Sequence, residues 1–131
     1  MSTLISQSTV LPAPPARLYR MYLDPRQHAA IIDSTARITP RTGGKFSVWD
    51  GDIRGVILQL VPARLIVQSW RAANWKKSDI DSTLVLSFRP DAKGGRIDLV
   101  HVNVPRKHLA GVRRGWHDYY WTPWRALLSK R

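Results

Sequence analysis

The hydrophobic positions in the last quarter of the chain, from about residue 106 onward, repeat at helical spacing. One side of a helical projection is apolar, with Trp124 at its edge, and consists of Leu109, Val112, Trp116, Tyr119, Tyr120 and Leu127. The opposite side is polar and carries Arg114, Asp118, Thr122 and Arg125. The pattern predicts a long amphipathic helix with a large aromatic face. It also predicts a bend at Pro123, because proline inside a helix removes a backbone hydrogen bond.

Upstream of this helix the hydrophobic period is mostly two residues, which is typical of strands. A strand over about residues 3–11 precedes two predicted helices, over about 16–23 and 27–32, separated by Asp24-Pro25. Six further strands are then predicted, over about 36–39, 45–49, 53–61, 65–71, 83–88 and 97–104. Asp50-Gly51 is a hairpin signal, and residues 90–95 are predicted to form a turn.

The order of these elements predicts an α+β fold. Consecutive short strands joined by tight turns favour an antiparallel meander, whose apolar face must be covered. Only the C-terminal helix is long and amphipathic enough to cover it, so we expect a curved antiparallel sheet wrapped around that helix. With 131 residues, the chain is expected to form a single domain over residues 1–131.

Composition restricts the classes of function. The chain has no cysteine, so disulfides and thiolate metal sites are excluded, and no histidine pair has metal-ligand spacing. No apolar run approaches the roughly 20 residues that span a bilayer, and no secretory signal pattern is present, so a cytoplasmic location is expected. The formal charge of +12 favours an acidic partner. Such a partner could be nucleic acid, anionic lipid or an acidic protein, and the alternative is simply a basic, Arg-rich proteome. The basic residues are scattered without a stripe or arm, which argues against nucleic acid.

An ordered series of short motifs runs through nearly the whole chain and carries a family resemblance. It comprises residues 14–19, 24–25, 43–46, 50–55, 60–62, 66–71, 84–88, 99–101 and 104–105, with Gly115-Trp116 and Tyr120-Trp121 in the long helix. In order and spacing these motifs resemble a single-domain member of the activator-of-heat-shock-protein-90-ATPase homologue-like family, within the START-like (SRPBCC) superfamily. Two positions depart from the family pattern, Pro123 and the pair Ile31-Ile32, where many relatives carry tryptophan.

The resemblance implies a helix-grip (START-like, Bet v 1-like) fold with a cavity between the sheet and the long helix. Many members of this superfamily bind apolar ligands in that cavity, and some catalyse reactions. In eukaryotic relatives such a domain belongs to a two-domain co-chaperone that stimulates the ninety-kilodalton heat-shock chaperone. Co-chaperone activity does not transfer on the family name alone, because function belongs to sites and not to folds.

The aromatic residues are the main candidates for chemistry. The six tryptophans either pack in the core in the ordinary way or partly line an apolar pocket between sheet and helix. The candidates for the pocket are Trp49, Trp70 and Trp116. Polar residues that the strand alternation or the helix face directs inward are predicted to orient a ligand there. They are Gln68, His101, Asn103 and Tyr120. Trp121 lies outside the apolar face of a regular helix and, with Trp75 and its neighbouring lysines, is predicted to form an exposed contact surface. His117 is predicted to face solvent.

Three hypotheses about function follow. The first is a non-enzymatic module that binds a small apolar or amphipathic ligand in the cavity, without a cofactor or metal. The second is a co-chaperone-like interaction protein whose basic surface docks on an acidic partner such as a chaperone. The third is an enzyme that uses His101 or Tyr120 on a ligand in the same cavity. No nucleophile elbow, phosphate-binding loop or acid–base pair in the sequence supports a particular reaction.

Overall fold

A computed structural model describes residues 3–130. The strands are β1 (Ile5–Leu11), β2 (Ala36–Ile38), β3 (Lys45–Val48), β4 (Ile53–Val61), β5 (Leu65–Ala72), β6 (Ser82–Asp91) and β7 (Gly94–Val102). The α-helices are α1 (Pro15–Leu23), α2 (Pro25–Ile32), α3 (Leu109–Trp116) and α4 (Thr122–Leu128). A 3-10 turn, Arg106–His108, precedes α3, and a π turn, His117–Trp121, joins α3 to α4.

The strands form one antiparallel sheet in the order β1-β7-β6-β5-β4-β3-β2. Strands β2 to β7 are a meander, and β1 returns to pair with β7 from Ile5 opposite His101 to Leu11 opposite Gly95. The sheet wraps around the C-terminal helical segment, so the predicted α+β helix-grip architecture is confirmed.

The inner face of the sheet and the helices enclose the core. Alternate residues of β6 and β7 point inward and are fully buried, including Leu84, Leu86, Ile97 and Leu99. Helices α1 and α2 close one end of the sheet through Leu18, Tyr22 and Ile31, among others. No helix within residues 3–130 is long and apolar enough to cross a membrane.

The hairpin between β6 and β7 is tighter than the turn predicted over residues 90–95. The two strands remain paired as far as Asp91 opposite Gly94, and only residues 92 and 93 make the turn. Gly94 has a φ of 139°, and a Cβ there would collide with the Leu11 carbonyl oxygen. Glycine therefore allows the β6–β7 hairpin to pass close to the backbone at the end of β1.

The junction between α1 and α2 is a helix cap. The side chain of Asp24 accepts hydrogen bonds from the backbone N–H groups of Arg26 (2.9 Å) and Gln27 (3.3 Å). Pro25 occupies the first position of α2, where its missing N–H is not needed. This cap starts α2 two residues before the predicted position.

Near Pro123, where a bend was predicted, the helix contains a π turn just before the proline. The N–H of Thr122 donates to the carbonyl of His117, five residues earlier, and Pro123 then lies in the first turn of α4. A π turn inserts one residue relative to an α-helix and rotates the following side chains back by about 100°. Trp121 and Trp124 are consequently buried, at 2% and 0% exposure.

Two predictions about this helix are corrected, and the rotation accounts for the first of them. Trp121 was expected on the surface but packs inside, stacked on Trp116 at 5.7 Å between ring centroids, and its Nε1–H donates to Gln7 Oε1 at 2.9 Å. Tyr119, placed on the apolar face by regular spacing, is 57% exposed. His117 is exposed, as predicted.

Candidate functional site

An open cavity of about 700 Å³ lies between α3, the end of β5 and the turn that joins β3 to β4. Six aromatic residues line it: Trp49, Trp70, Trp75, Trp116, Tyr119 and Tyr120. Small or aliphatic residues complete the walls, including Ala72, Ala73, Gly111, Val112 and Gly115. Polar groups are few: Asp52, Asn74, Lys107 and His108. This is the usual form of a site for a small organic molecule.

Trp49 reaches the cavity from a strained turn. It was predicted as the last residue of a strand, but β3 ends at Val48, and residues 49, 50 and 51 have φ values of 51°, 55° and 89°. The side chain of Thr35 holds this turn by accepting from the Asp50 N–H at 2.7 Å and donating to the Asp50 carboxylate at 3.1 Å. Such strain in a bulky residue is typical of functional positions.

The aromatic rings form two groups around the cavity. Trp49 packs edge-on against Tyr119 (5.8 Å between centroids) and Tyr120 (6.0 Å). Trp75 stacks on His108 at 6.1 Å and packs against Trp70 at 5.6 Å. The expectation that Trp75 forms an exposed surface is therefore wrong, since its side chain is only 6% exposed and closes one wall.

His101 points inward as its parity predicts, but it lies behind the cavity wall, in a closed hydrogen-bond chain. Its Nδ1 accepts from the Trp116 Nε1–H at 3.2 Å, so the proton is on Nε2, which donates to Ser82 Oγ at 2.8 Å. The Ser82 hydroxyl in turn donates to the Trp70 carbonyl at 2.6 Å. Burial lowers the pKa of His101 to about 3, so the ring is neutral. The chain fixes the two cavity tryptophans.

A second buried chain supports Tyr120. His28 Nδ1 donates to the Tyr22 carbonyl at 2.6 Å, which leaves Nε2 to accept from the Tyr120 hydroxyl at 2.8 Å. The Tyr22 hydroxyl donates to Gln68 Oε1 at 2.9 Å. Burial lowers the pKa of His28 to about 4 and raises the pKa of both tyrosines. Gln68 is thus buried as predicted, but it supports Tyr22 and does not line the cavity.

His28 was not among the predicted site residues. The available signal is that His28 precedes Ile31 and Ile32 by three and four residues, which places all three on the buried side of α2.

The inward orientation predicted for Asn103 is wrong. Strand β7 ends at Val102, and Asn103 has a φ of 65°, so the alternation of the strand does not extend to it. Its side chain is exposed and donates to the Asp81 carbonyl at 3.4 Å. Of the predicted ligand-contacting residues, the structure brings Trp49, Trp70, Trp116 and Tyr120 together around the cavity.

The outer face of the sheet carries a separate basic groove. Arg37, Ser47, Arg54 and Arg71 are cross-strand neighbours on β2 to β5, and Lys45 lies beside them. These residues line a groove of about 810 Å³. Arg71 is paired with Asp81 at 3.2 Å, whereas Arg37, Lys45 and Arg54 form no ion pair with the described residues. Within residues 3–130, no group of three or more His, Asp or Glu side chains is placed to hold a metal ion.

Among α+β folds, the START-like class is the one in which a curved antiparallel sheet wraps around a C-terminal helix, and this chain has that fold. More specifically, it belongs to the family described as activator of Hsp90 ATPase homolog 1-like protein, whose family model matches residues 12–128.

Sequence relatives include activators of the 90 kDa heat-shock protein ATPase. The homologue from Dictyostelium discoideum is 30% identical over 78% of this chain and 27% of its own length. Activator homologue 1 from Homo sapiens is 31% identical over 81% of this chain and 31% of its own length. The chain therefore spans about 30% of the length of these relatives.

A solved structure supports the same relationship. An HSP90 activator from Plasmodium falciparum superposes with a TM-score of 0.83 and 25% identity, covering 98% of this chain and 96% of that one.

Proposed function

We propose that the chain is a non-enzymatic module that binds a small apolar or amphipathic molecule in the cavity beside α3. The observation that carries this proposal is the open space of about 700 Å³ with six aromatic residues around it. The site is concave and apolar with few polar groups, which is the usual form of a small-molecule site, and a ligand would cover the aromatic surface that faces the opening.

The two candidate catalytic residues favour binding over catalysis. His101 is neutral at physiological pH and uses both ring nitrogens in hydrogen bonds to Trp116 and Ser82. The Tyr120 hydroxyl donates to His28, and burial raises its pKa. Neither side chain has a free group for proton transfer to a ligand. Their role in the proposal is to hold the cavity walls in place.

Native mass spectrometry of freshly purified protein tests the proposal. We expect an additional small-molecule mass that is released on denaturation. Val112→Trp fills the cavity and should abolish this mass, whereas Ala110→Trp, at an exposed position of α3 outside the lining, should retain it. Absence of any bound mass, together with no saturable binding of 1-anilinonaphthalene-8-sulfonate to the wild-type protein, would contradict the proposal.

A second candidate function is docking on an acidic surface of a 90 kDa heat-shock chaperone. Two observations favour it. Its relatives are named as activators of the 90 kDa heat-shock protein ATPase, and Arg37, Lys45 and Arg54 in the outer basic groove have no acidic partner among the described residues. The net charge of +12 would accelerate such an encounter. Both candidate functions assume the cytoplasmic location that the sequence predicts.

Charge-reversal variants test whether the association depends on the residues of the groove or only on the net charge of the protein. The double variant Arg37→Glu/Arg54→Glu should abolish association with the chaperone and the salt dependence of that association. The control Arg113→Glu/Arg114→Glu changes the net charge equally, on the exposed side of α3, and should retain most of the binding. Equal loss in both variants, or binding that salt does not weaken, would contradict docking at the groove.

A further inference from the structure

Two glycines one helical turn apart face the cavity from α3. Gly111 and Gly115 both belong to the lining, on the same side of the helix as Val112 and Tyr119. Glycine is a poor helix former, because it loses more backbone freedom on folding than any other residue. Two glycines within the eight residues of α3 therefore need a physical reason.

Neither backbone conformation nor packing supplies that reason. Both residues are helical, and neither has a positive φ. A Cβ at Gly111 would meet nothing within 4 Å, and a Cβ at Gly115 would meet only the Tyr119 ring, at an ordinary contact distance of 3.5 Å. Alanine would fit at both positions and would favour the helix. What glycine provides here is a stretch of bare helix backbone in the cavity wall.

We propose that the cavity selects planar, fused-ring aromatic molecules, with the ligand ring lying flat against α3 at Gly111 and Gly115. This inference rests on the proposed binding function and specifies its ligand class. A flat wall suits a flat molecule, because every ring atom can reach contact distance only if no methyl group projects from the wall. The remaining aromatic walls, Trp49 with Tyr119 and Trp75 with His108, offer stacked and edge-on partners.

Trp75 adds a polar group beside the cavity. Its indole Nε1–H is buried and has no acceptor among the described residues, although Trp75 borders the cavity. Buried indole N–H groups usually find an acceptor. The Nε1 atom has no exposed surface, so an oxygen substituent on the ligand would reach it only if the ring rotated, and Trp124 has an equally unpaired Nε1–H outside the cavity. Lys107, exposed at the same cavity, lies where an acidic substituent can reach it.

The first part of the test compares two probes with the same skeleton. The probe 2-naphthoate is planar, whereas decahydro-2-naphthoate carries the same carboxylate on a saturated, puckered ring system. Titration calorimetry should give a dissociation constant about tenfold lower for 2-naphthoate, because the puckered rings cannot approach the backbone closely. Equal affinities would overturn the assignment of the ligand class.

The second part uses a variant whose two effects have opposite directions. Gly111→Ala should raise the thermal unfolding midpoint of the ligand-free protein by about 2–4 °C and weaken 2-naphthoate binding about tenfold. The control Ala110→Gly, one residue away and outside the lining, should lower the midpoint and leave the affinity unchanged. If Gly111 served only the structure of the helix, Gly111→Ala would change the unfolding midpoint without weakening the binding of 2-naphthoate.

The outcomes distinguish this inference from the function on which it rests. Unchanged 2-naphthoate affinity in Gly111→Ala would overturn the stacked pose while leaving a cavity that binds ligands. No saturable binding of either probe, and no co-purified molecule, would overturn both.

Discussion

His28 and His101 are two buried, neutral bases, each held by hydrogen bonds at both ring nitrogens. Burial lowers the pKa of His28 to about 4 and of His101 to about 3, against about 6.5 for an exposed histidine. Each ring fixes an aromatic residue of the cavity wall, Tyr120 in one case and Trp116 in the other. The cavity geometry is therefore coupled to the protonation of residues that do not line it.

The first prediction concerns pH. Between the folded-state pKa values and about pH 6.5, the unfolded chain binds more protons than the folded one. The contribution of the two neutral histidines to the free energy of unfolding is therefore fully present above pH 6.5 and is lost as the pH falls. Each histidine contributes a slope of up to about 1.4 kcal/mol per pH unit. Urea unfolding at pH 7.5, 5.5 and 4.5 measures this slope. The variant His101→Gln should reduce the slope, whereas His117→Gln, at an exposed position, should not.

The pH range in which the histidines lose their contribution is distinct from the range in which Asp98 loses its own. Burial alone would raise the pKa of Asp98, but hydrogen bonds from Ser8, Arg96 and Arg89 lower it to about 2, so its contribution is lost only below about pH 4. Stability that stays constant from pH 7.5 to 4.5 would contradict the assignment of neutral buried histidines.

At the scale of elements, the π turn decides which aromatic residues enter the core. The apolar spacing predicts the existence of a C-terminal helix, and strand β4 matches its predicted bounds, because a period of two between turn signals is unambiguous. Helical projection, however, assumes 100° per residue throughout. It cannot detect an inserted residue, so it misplaces Trp121. Tyr119 lies on the predicted side but borders an open cavity, which is why it is exposed.

Strand alternation predicts part of the candidate site. Parity correctly orients Trp70, Gln68 and His101 along regular strands. It fails at Asn103, where a left-handed residue ends the alternation, and it cannot show that hydrogen bonds already occupy Gln68 and His101. Whether space remains between sheet and helix depends on the packing of the whole core, which no local pattern contains.

The π turn gives a prediction that reverses the one from regular helical spacing. Trp121→Ala should lower the free energy of unfolding by about 3–5 kcal/mol, because it removes a fully packed indole. Tyr119→Ala, at a side chain more than half exposed, should lower it by less than about 1 kcal/mol. Urea unfolding of both variants measures the difference. A larger effect at Tyr119 than at Trp121 would show that the helix is regular in solution.

At the scale of the whole molecule, charge is the dominant feature. Twenty-one basic residues face nine aspartates, and residues 3–130 contain three ion-pair contacts, which involve Arg71, Arg89 and Arg96. Most positive charges therefore lack a close acidic partner and repel one another. A net charge far from zero destabilises the compact state and favours association with acidic surfaces.

Salt should consequently stabilise the free protein. Raising NaCl from about 10 mM to 150 mM shortens the Debye length from about 30 Å to about 8 Å and screens this repulsion. We expect the thermal unfolding midpoint to rise over this range, and to rise less in Arg113→Glu/Arg114→Glu, whose net charge is lower. A midpoint that falls with salt would indicate that the three ion pairs contribute more to stability than the repulsion costs.

The central claim, that the cavity beside α3 binds a ligand, is tested most directly by following the indole N–H signals of the six tryptophans in a nitrogen-15 correlation spectrum during titration with 2-naphthoate. Trp49, Trp70, Trp75 and Trp116 line the cavity, whereas Trp121 and Trp124 are buried outside its lining and serve as internal controls. We predict saturable shifts of the first four signals and little change in the other two. No shift, or equal shifts of all six, would contradict the account.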